Sequence, residues 1–371
     1  MQLLPLQEVA SQIKPGLPLA WGIRDGNGKL LLARGHRVTD VAMLNTLLAR
    51  GMFVDAAEMR SAMSSHSATK PREGFFGRWR LSSARLNTLL TTTPSELRTA
   101  LAEMVDVLIA LADRYPDKVL FQILRHDQTK LNSYGVSHSL HSAAVCCLSA
   151  RRMGWDDARR RTLVAAAMSM NVSMIELQGR LAVQAAPPNP DQRAAIDDHP
   201  LRSAEMLRAA GVDCPQWLAA VEQHHELADG GGYPRRLTDV GELAQALHYA
   251  DVFTAKLSAR SSRAPLMPNV AARQMFTDSA GHPLAAALIK EFGMYPPGCF
   301  VRLASGEIAI VIQRGETVAT PVVACLTNAA GQAMMRPQRR ETTDKANAIV
   351  ALVADADVMV RVPWETLYPD D

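Results

Sequence analysis

From Pro94 to about Phe292, apolar residues return at helical spacing in one segment after another, which confines this stretch to a helix-on-helix fold. The first segment opens at Ser95-Glu96-Leu97 and carries Leu101, Met104, Val105, Leu108 and Leu111 along one face, with the serine as its expected cap. With 371 residues and 48% hydrophobic content, the chain can bury a sizeable core and still carry further domains on either side of the helices.

Both flanks read differently. Leu19-Ala20-Trp21-Gly22-Ile23 and Lys29-Leu30-Leu31-Leu32-Ala33 are separated by Asp25-Gly26-Asn27-Gly28, a hairpin pattern. Asp40 then caps a helical pattern through Val41, Leu44, Leu47 and Leu48 that stops at Gly51. Residues 1–60 are therefore expected to form a small α+β domain. Ser61 to Ser83 show little periodicity, so a linker is expected over 61–85, followed by a connecting helix over 86–114. Within that linker Phe75, Phe76 and Trp79 stand among Arg72, Arg78 and Arg80; docking against the protein itself is the expected role, with nucleotide contact as the alternative. After an all-helical domain over 115–293, the pattern returns to strands. Val301-Arg302-Leu303 and Ile308-Ala309-Ile310-Val311-Ile312 flank a turn, and Val322 to Leu326 and Val358 to Val362 are further strand-like runs. The expected fold is mainly α, with a small α+β domain before the helices and a β-rich extension over 294–371.

Forty basic against 37 acidic residues leave a net charge of +3, too small to point to nucleic acid or a membrane surface as a partner. No run approaches a membrane span, and Met1 to Glu8 lack the pattern of a secretory signal, so a cytoplasmic protein is expected. Cys146, Cys147, Cys214, Cys299 and Cys325 contain no CxxC pair, which suits buried thiols better than disulfides or a thiolate metal site.

Chemistry-capable residues crowd together in one place, His224-His225-Glu226-Leu227-Ala228-Asp229-Gly230-Gly231-Gly232-Tyr233-Pro234. Trp217, Leu218 and Val221 precede it at helical spacing, so the two histidines close a helix and the glycines turn the chain away. Neighbouring residues on a helix point about 100° apart. Both imidazoles serve one site only if that site wraps the helix end.

This stretch, HHExxDGxGYP, resembles the signature of the HD-GYP family, the bacterial metal-dependent phosphohydrolases of cyclic di-GMP signalling. The resemblance implies a metal site built from several helices, with His138, His199, His224, His225 and Asp251 at ligand positions. It implies a role in ligand or partner contact for Glu226, Asp229, Gly230, Gly232, Tyr233 and Pro234, and for Arg260 in a degenerate nucleotide-contact motif, with GGDEF-type proteins as candidate partners. Arg235-Arg236, at the mouth of the expected site, is the candidate for a phosphate contact. His199-Pro200 is expected to head a helix, and Tyr134 stands where some relatives carry a glutamate for a third metal.

One family motif, HD-x-GK, is replaced. Met170, Asn171, Ser173 and Met174 occupy the places of its histidine, aspartate, glycine and lysine. A thioether is a poor ligand for Mn, Fe or Mg, an amide cannot hold two cations together by charge, and methionine cannot stabilise a phosphate. Met170 and Met174, four residues apart, are expected on one helix face as apolar packing. His126-Asp127 precedes His138 and is in the wrong place to substitute. The expectation is a degenerate member acting by binding cyclic di-GMP or a protein, with one divalent metal (Mn, Fe or Zn) at the three histidines or none. The alternative is a working phosphohydrolase using the remaining ligands.

Overall fold

The computed structural model describes residues 3–13, 19, 21–32, 36, 38, 41–56, 58–59, 74–92, 96–125, 131–360 and 362–368. Asp40, Arg72, Ser95 and His126-Asp127 lie outside them. The chain divides into two compact units, Met1–Gly74 and Phe75–Asp371.

In the first unit, β1 (Leu3–Pro5), β2 (Ile23–Arg24), β3 (Leu30–Leu32), α1 (Val41–Ala49) and β4 (Phe53–Asp55) build an antiparallel sheet of order β1-β4-β2-β3. The hairpin turn is held by the Asp25 carboxylate, which accepts the backbone N–H groups of Asn27 and Lys29. Gly51, at φ 63°, turns the chain out of α1 into β4. Leu6, Trp21, Ile23, Val38 and Val54 form the core of this unit. β1 and β4, three residues each, are too short to show alternation in the sequence.

The second unit opens with α2 (Phe75–Thr92) and α3 (Leu97–Arg114). The linker expected over 61–85 therefore ends earlier, and the single connecting helix is two. Phe75 (0% exposed), Phe76 (6%) and Trp79 (3%) pin α2 into the core, so burial of three aromatic rings decides the helix despite its weak periodicity. The bundle continues with α4 (Pro116–Arg125), α5 (Tyr134–Arg152), α6 (Asp157–Ser169), α7 (Ile175–Val183), α8 (Pro190–Ala209), α9 (Pro215–Gln223), α10 (Glu242–Leu257), α11 (Pro268–Asp278) and α12 (Pro283–Phe292). α5 lies at the centre and is buried on almost every side, which its run of Gly, Ala, Ser and Cys permits.

Two expectations about these helices change. His199-Pro200 does not head a helix: α8 starts at Pro190, where Asn189 and Gln192 form a reciprocal capping box, and Pro200 sits in its interior. Met170 and Met174 share no helical face, because α6 ends at Ser169 and a 3₁₀ turn, Val172–Met174, intervenes before α7. Both methionines are nonetheless buried.

β5 (Phe300–Leu303), β6 (Ile308–Gln313), β7 (Val322–Thr327), β8 (Ala333–Glu341) and β9 (Ile349–Val353) form an antiparallel sheet of order β8-β7-β6-β5-β9. Phe300, Ile310, Ile312 and Val322 join the helical core, while Cys299, Val301, Val311 and Val323 make a second core on the opposite face. The sheet is thus part of the helical unit rather than an appendage. Arg314 ties the two, donating to Asp117 at 2.5 Å and to the buried Glu291 at 2.8 Å, and Glu291 also takes Arg152 at 2.6 Å. The expected strand at Val358–Val362 is absent among the described residues of that run; Val358 packs into the helical core after a 3₁₀ turn, Asp355–Asp357. β8 and β9 lie at the sheet edges; β8 tolerates Pro337 and several charges there and so carries little apolar signal, whereas β9, Ile349–Val353, is a short apolar run.

The arginine-rich turn around α5 and α6 is spent internally. Arg160 pairs with Asp113, Arg152 with Glu291, Arg161 with Asp106, and Arg159 with Glu242 while lying over the Trp155 ring. All five cysteines are free thiols.

Candidate metal centre

Pro200 has no N–H to give the carbonyl of Ile196, four residues back in α8. That carbonyl is taken instead by Nδ1–H of His199, at 2.5 Å. A second histidine finds its partner in a similar way. The last carbonyls of α9 lack helical donors, and Nδ1–H of His224, at the helix end, donates to Val221 at 2.6 Å.

A neutral imidazole carries one N–H. With both Nδ1 atoms protonated, His199 and His224 present unprotonated Nε2 atoms to each other at 3.2 Å. Two facing lone pairs repel, and a shared proton would require a charged ring. Burial opposes that charge: it lowers the His199 pKa and, with His199 beside it, pushes His224 down to about 3. A metal cation accepted by both nitrogens removes the conflict, and ring N–H groups bonded to backbone carbonyls are how ligating histidines are commonly oriented. His225 completes the group: ligand nitrogens of His199, His224 and His225 all lie within 4.8 Å of one another. Burial and the neighbouring His224 also hold His225 well below the usual histidine range, so protons do not compete for these nitrogens at neutral pH. The donor set fits one ion.

The loop after the histidines is shaped to hold this group. Glu226, 2% exposed, accepts the backbone N–H of Arg235 at 2.6 Å and of Leu237 at 2.9 Å, closing the loop on itself. Asp229 accepts the N–H of Gly231, and Gly230 adopts φ 74°. Tyr233 returns to donate its N–H to the His225 carbonyl and stacks its ring on the His225 imidazole at 4.5 Å. Pro234 follows through a cis peptide bond. Arg235 pairs with Glu222 on the surface, at 3.2 Å.

His138 and Asp251 form a separate pair. The His138 Nε2–H donates to Asp251 Oδ1 at 2.6 Å in a buried setting, so this nitrogen is engaged by the carboxylate. Burial raises the Asp251 pKa, but the His138 hydrogen bond and charge outweigh it and hold the carboxyl below its usual range. Tyr134 stacks on His138 at 5.3 Å and is gripped by Arg260, whose guanidinium donates to the phenol oxygen at 2.5 Å and lies 4.7 Å over the ring. Met170, fully buried, joins the apolar core, and Asn171 is 2% exposed.

Three supports escape the motif pattern. Ser173 donates to the His199 carbonyl at 3.1 Å and bonds Ser203 at 2.9 Å; His248 Nδ1–H donates to the His224 carbonyl at 2.9 Å; Thr254 sits 3.4 Å from His138 Nδ1. The spacing of Ser203 from His199, one turn along α8, and of Thr254 from Asp251 along α10 is the signal that marks them.

A pH dependence follows. The unfolded chain protonates its histidines near pH 6.5, whereas folded His199 and His224 resist protonation. Below about pH 6.5 the unfolded state therefore binds more protons, and stability present above that pH is lost as pH falls, by about 1.4 kcal/mol per pH unit for His224, with His199 adding to the loss in the same direction. Urea unfolding of metal-free protein at pH 7.5 and 5.5 is expected to show the drop, and a His224→Gln variant a shallower one.

A family model described as HD domain matches residues 118–282, a span that holds both histidine groups and Asp251. The chain is 29% identical over 225 residues to the cyclic di-GMP phosphodiesterase PA4108 of Pseudomonas aeruginosa, covering 56% of this chain and 53% of that protein. It thus spans about half the length of this curated relative. Among solved structures, Bd1817, an HDGYP-type protein of Bdellovibrio bacteriovorus, aligns with a TM-score of 0.48 at 15% identity, over 78% of this chain and 98% of that one. No helix among the described residues is long and apolar enough to cross a membrane.

Proposed function

We propose that this chain, similar over residues 118–282 to the HD-domain family, is an HD-GYP member that serves cyclic di-GMP signalling by binding and has given up phosphodiester hydrolysis. The observation that carries this reading is Met170. It stands at the position of the family's metal-binding histidine and is sealed into the apolar core at 0% exposure. Asn171 beside it supplies no negative charge to bridge two ions, and Met174 no cation for a phosphate. His138 and Asp251, the partners of the missing pair, are satisfied by each other.

His199, His224 and His225 would hold a single divalent ion, Zn, Fe or Mn, with room in its coordination for water or a ligand oxygen. When bound, such an ion supplies Lewis acidity to an oxygen it touches. The protein's own residues keep the ligand nitrogens unprotonated, fix the rings through backbone carbonyls, and cover His225 with Tyr233. The exposed outer side of the loop, at Asp229, Gly231 and Arg236, is the surface offered to a signalling protein such as a GGDEF-type partner.

The test is incubation of purified protein with cyclic di-GMP and Mn or Fe, following binding and product together. Saturable binding with no linear or mononucleotide product, and one metal per chain by elemental analysis, is the expected result. Turnover at the rate of an intact family member would establish hydrolysis by the remaining ligands instead, and two metals per chain would refute the single-ion site.

A further inference from the structure

A short segment, Ser169 to Ser173, is fastened at one end to the helix that leads into His224 and at the other to the helix that carries His199. At the first end the Ser169 Oγ accepts the indole N–H of Trp217 on α9 at 2.9 Å, two turns before His224. At the second the Ser173 Oγ donates to the His199 carbonyl on α8 at 3.1 Å and meets the Ser203 Oγ at 2.9 Å. The segment is thereby tied to both helices whose histidines converge. Asn171 stands midway between the two ties.

The Asn171 side chain is the anomaly of this segment. It is 2% exposed and holds the position that caps the 3₁₀ turn Val172–Met174, where an asparagine oxygen ordinarily accepts a backbone N–H. It makes no cap bond, and among the described residues its amide has no other hydrogen-bond partner. Ser169 and Ser173, on either side, are both satisfied. A buried amide left unpaired is costly, and in a native fold it points to an ion or a water as the missing partner.

An ion is the partner these surroundings offer. His199, His224 and His225 place nitrogen donors within 4.8 Å of one another and leave a fourth position to another ligand. We propose that the Asn171 carboxamide oxygen is that fourth ligand, and that the resulting neutral donor set, three imidazoles and one amide, selects Zn over Mn. The inference rests on the single-ion reading above and adds to it a ligand and a metal. Imidazole suits Zn, Mn is better held by carboxylates, and affinity at a common nitrogen site is higher for Zn than for Mn. No ligand charge offsets that order, because the buried carboxylates of this region are committed elsewhere. Asp251 takes His138 at 2.6 Å, and Glu226 takes the backbone N–H groups of Arg235 and Leu237.

The test titrates the intact chain, stripped of metal, with Zn and with Mn against a competing chelator, and with Co as a stand-in for Zn that absorbs visible light. One Zn per chain, bound at least about 100-fold more tightly than Mn, is expected for the unaltered protein. Asn171→Leu, close in volume, is expected to weaken Zn about tenfold and to change the Co absorption through loss of an oxygen donor. Asn171→Asp puts a charged oxygen in the same place and is expected to tighten both ions, Mn the more, so that the preference for Zn falls about tenfold. A side chain that only supported the fold would shift neither the Co spectrum nor this preference. Unchanged Zn affinity and Co absorption in Asn171→Leu would overturn Asn171 as a ligand and leave the three-histidine ion standing. Equal affinity for Zn and Mn in the unaltered protein, or a preference unmoved by Asn171→Asp, would overturn the selectivity. Failure of the unaltered protein to bind Zn at all would overturn the single-ion reading and this inference together.

Discussion

With the single-ion site proposed for His199, His224 and His225, exchange of His224 for glutamine is expected to take the metal content of purified protein to background, a larger loss in affinity than the ~10–100-fold that removal of an outer-shell partner costs. The reason is geometric. His224 and His199 face each other across 3.2 Å with both Nδ1–H groups already committed to backbone carbonyls, so removal of one Nε2 leaves His199 and His225 without the third donor. Glutamine nearly preserves the volume, and its amide can still donate to Val221, which separates loss of ligation from loss of fold. Ser173→Ala removes the hydroxyl that bonds the His199 carbonyl and Ser203, leaves all three ligand imidazoles in place, and is expected to cost about tenfold. Both are read by elemental analysis after dialysis against a weak chelator, with circular dichroism as the control on folding. Undiminished metal in His224→Gln would place the ion elsewhere.

Gly232→Ala is expected to destabilise the protein by about 3 kcal/mol or more and to abolish the same metal site. A Cβ at position 232 would lie 2.5 Å from the His225 carbonyl oxygen, 2.5 Å from the Leu227 nitrogen and 2.6 Å from the Glu226 Cα. All three are backbone atoms, so nothing can swing aside as a side chain would. The loop must move off the helix end, which withdraws Tyr233 from His225 and loosens the carboxylate clamp of Glu226. Gly211→Ala, at φ 83° but with open space around its Cβ, carries backbone strain without a clash. Thermal unfolding of the two variants side by side distinguishes the steric cost from the conformational one. Equal stability in both would show that the loop yields more easily than its contacts suggest.

Much of the fold could be read from residue order. Helical spacing from Pro94 to Phe292 announces the bundle, and the Asp25 and Ala304–Glu307 turns announce two hairpins that the structure contains. The edge strand β9, Ile349–Val353, does carry an apolar run, which the strand pattern read from the sequence omits. The edge strand β8 could not be read, because a strand with one unpaired side tolerates Pro337 and charges in place of apolar alternation. Neither could α2, where three aromatic rings outweigh a weak helical pattern by docking into a core the local sequence does not reveal.

The metal centre divides along the same line. Sequence order by itself settles which side chains exist to do chemistry: histidines at 138, 199, 224 and 225, a carboxylate at 251, and sulfur and amide at 170 and 171. Only tertiary structure decides that three of these histidines converge, that His138 turns to Asp251, and that Met170 closes into the core. The physical reason is that ligation needs nitrogen lone pairs aimed at one point. That aim is set by carbonyls freed at a proline and at a helix end, and no residue-by-residue pattern records where those carbonyls will lie.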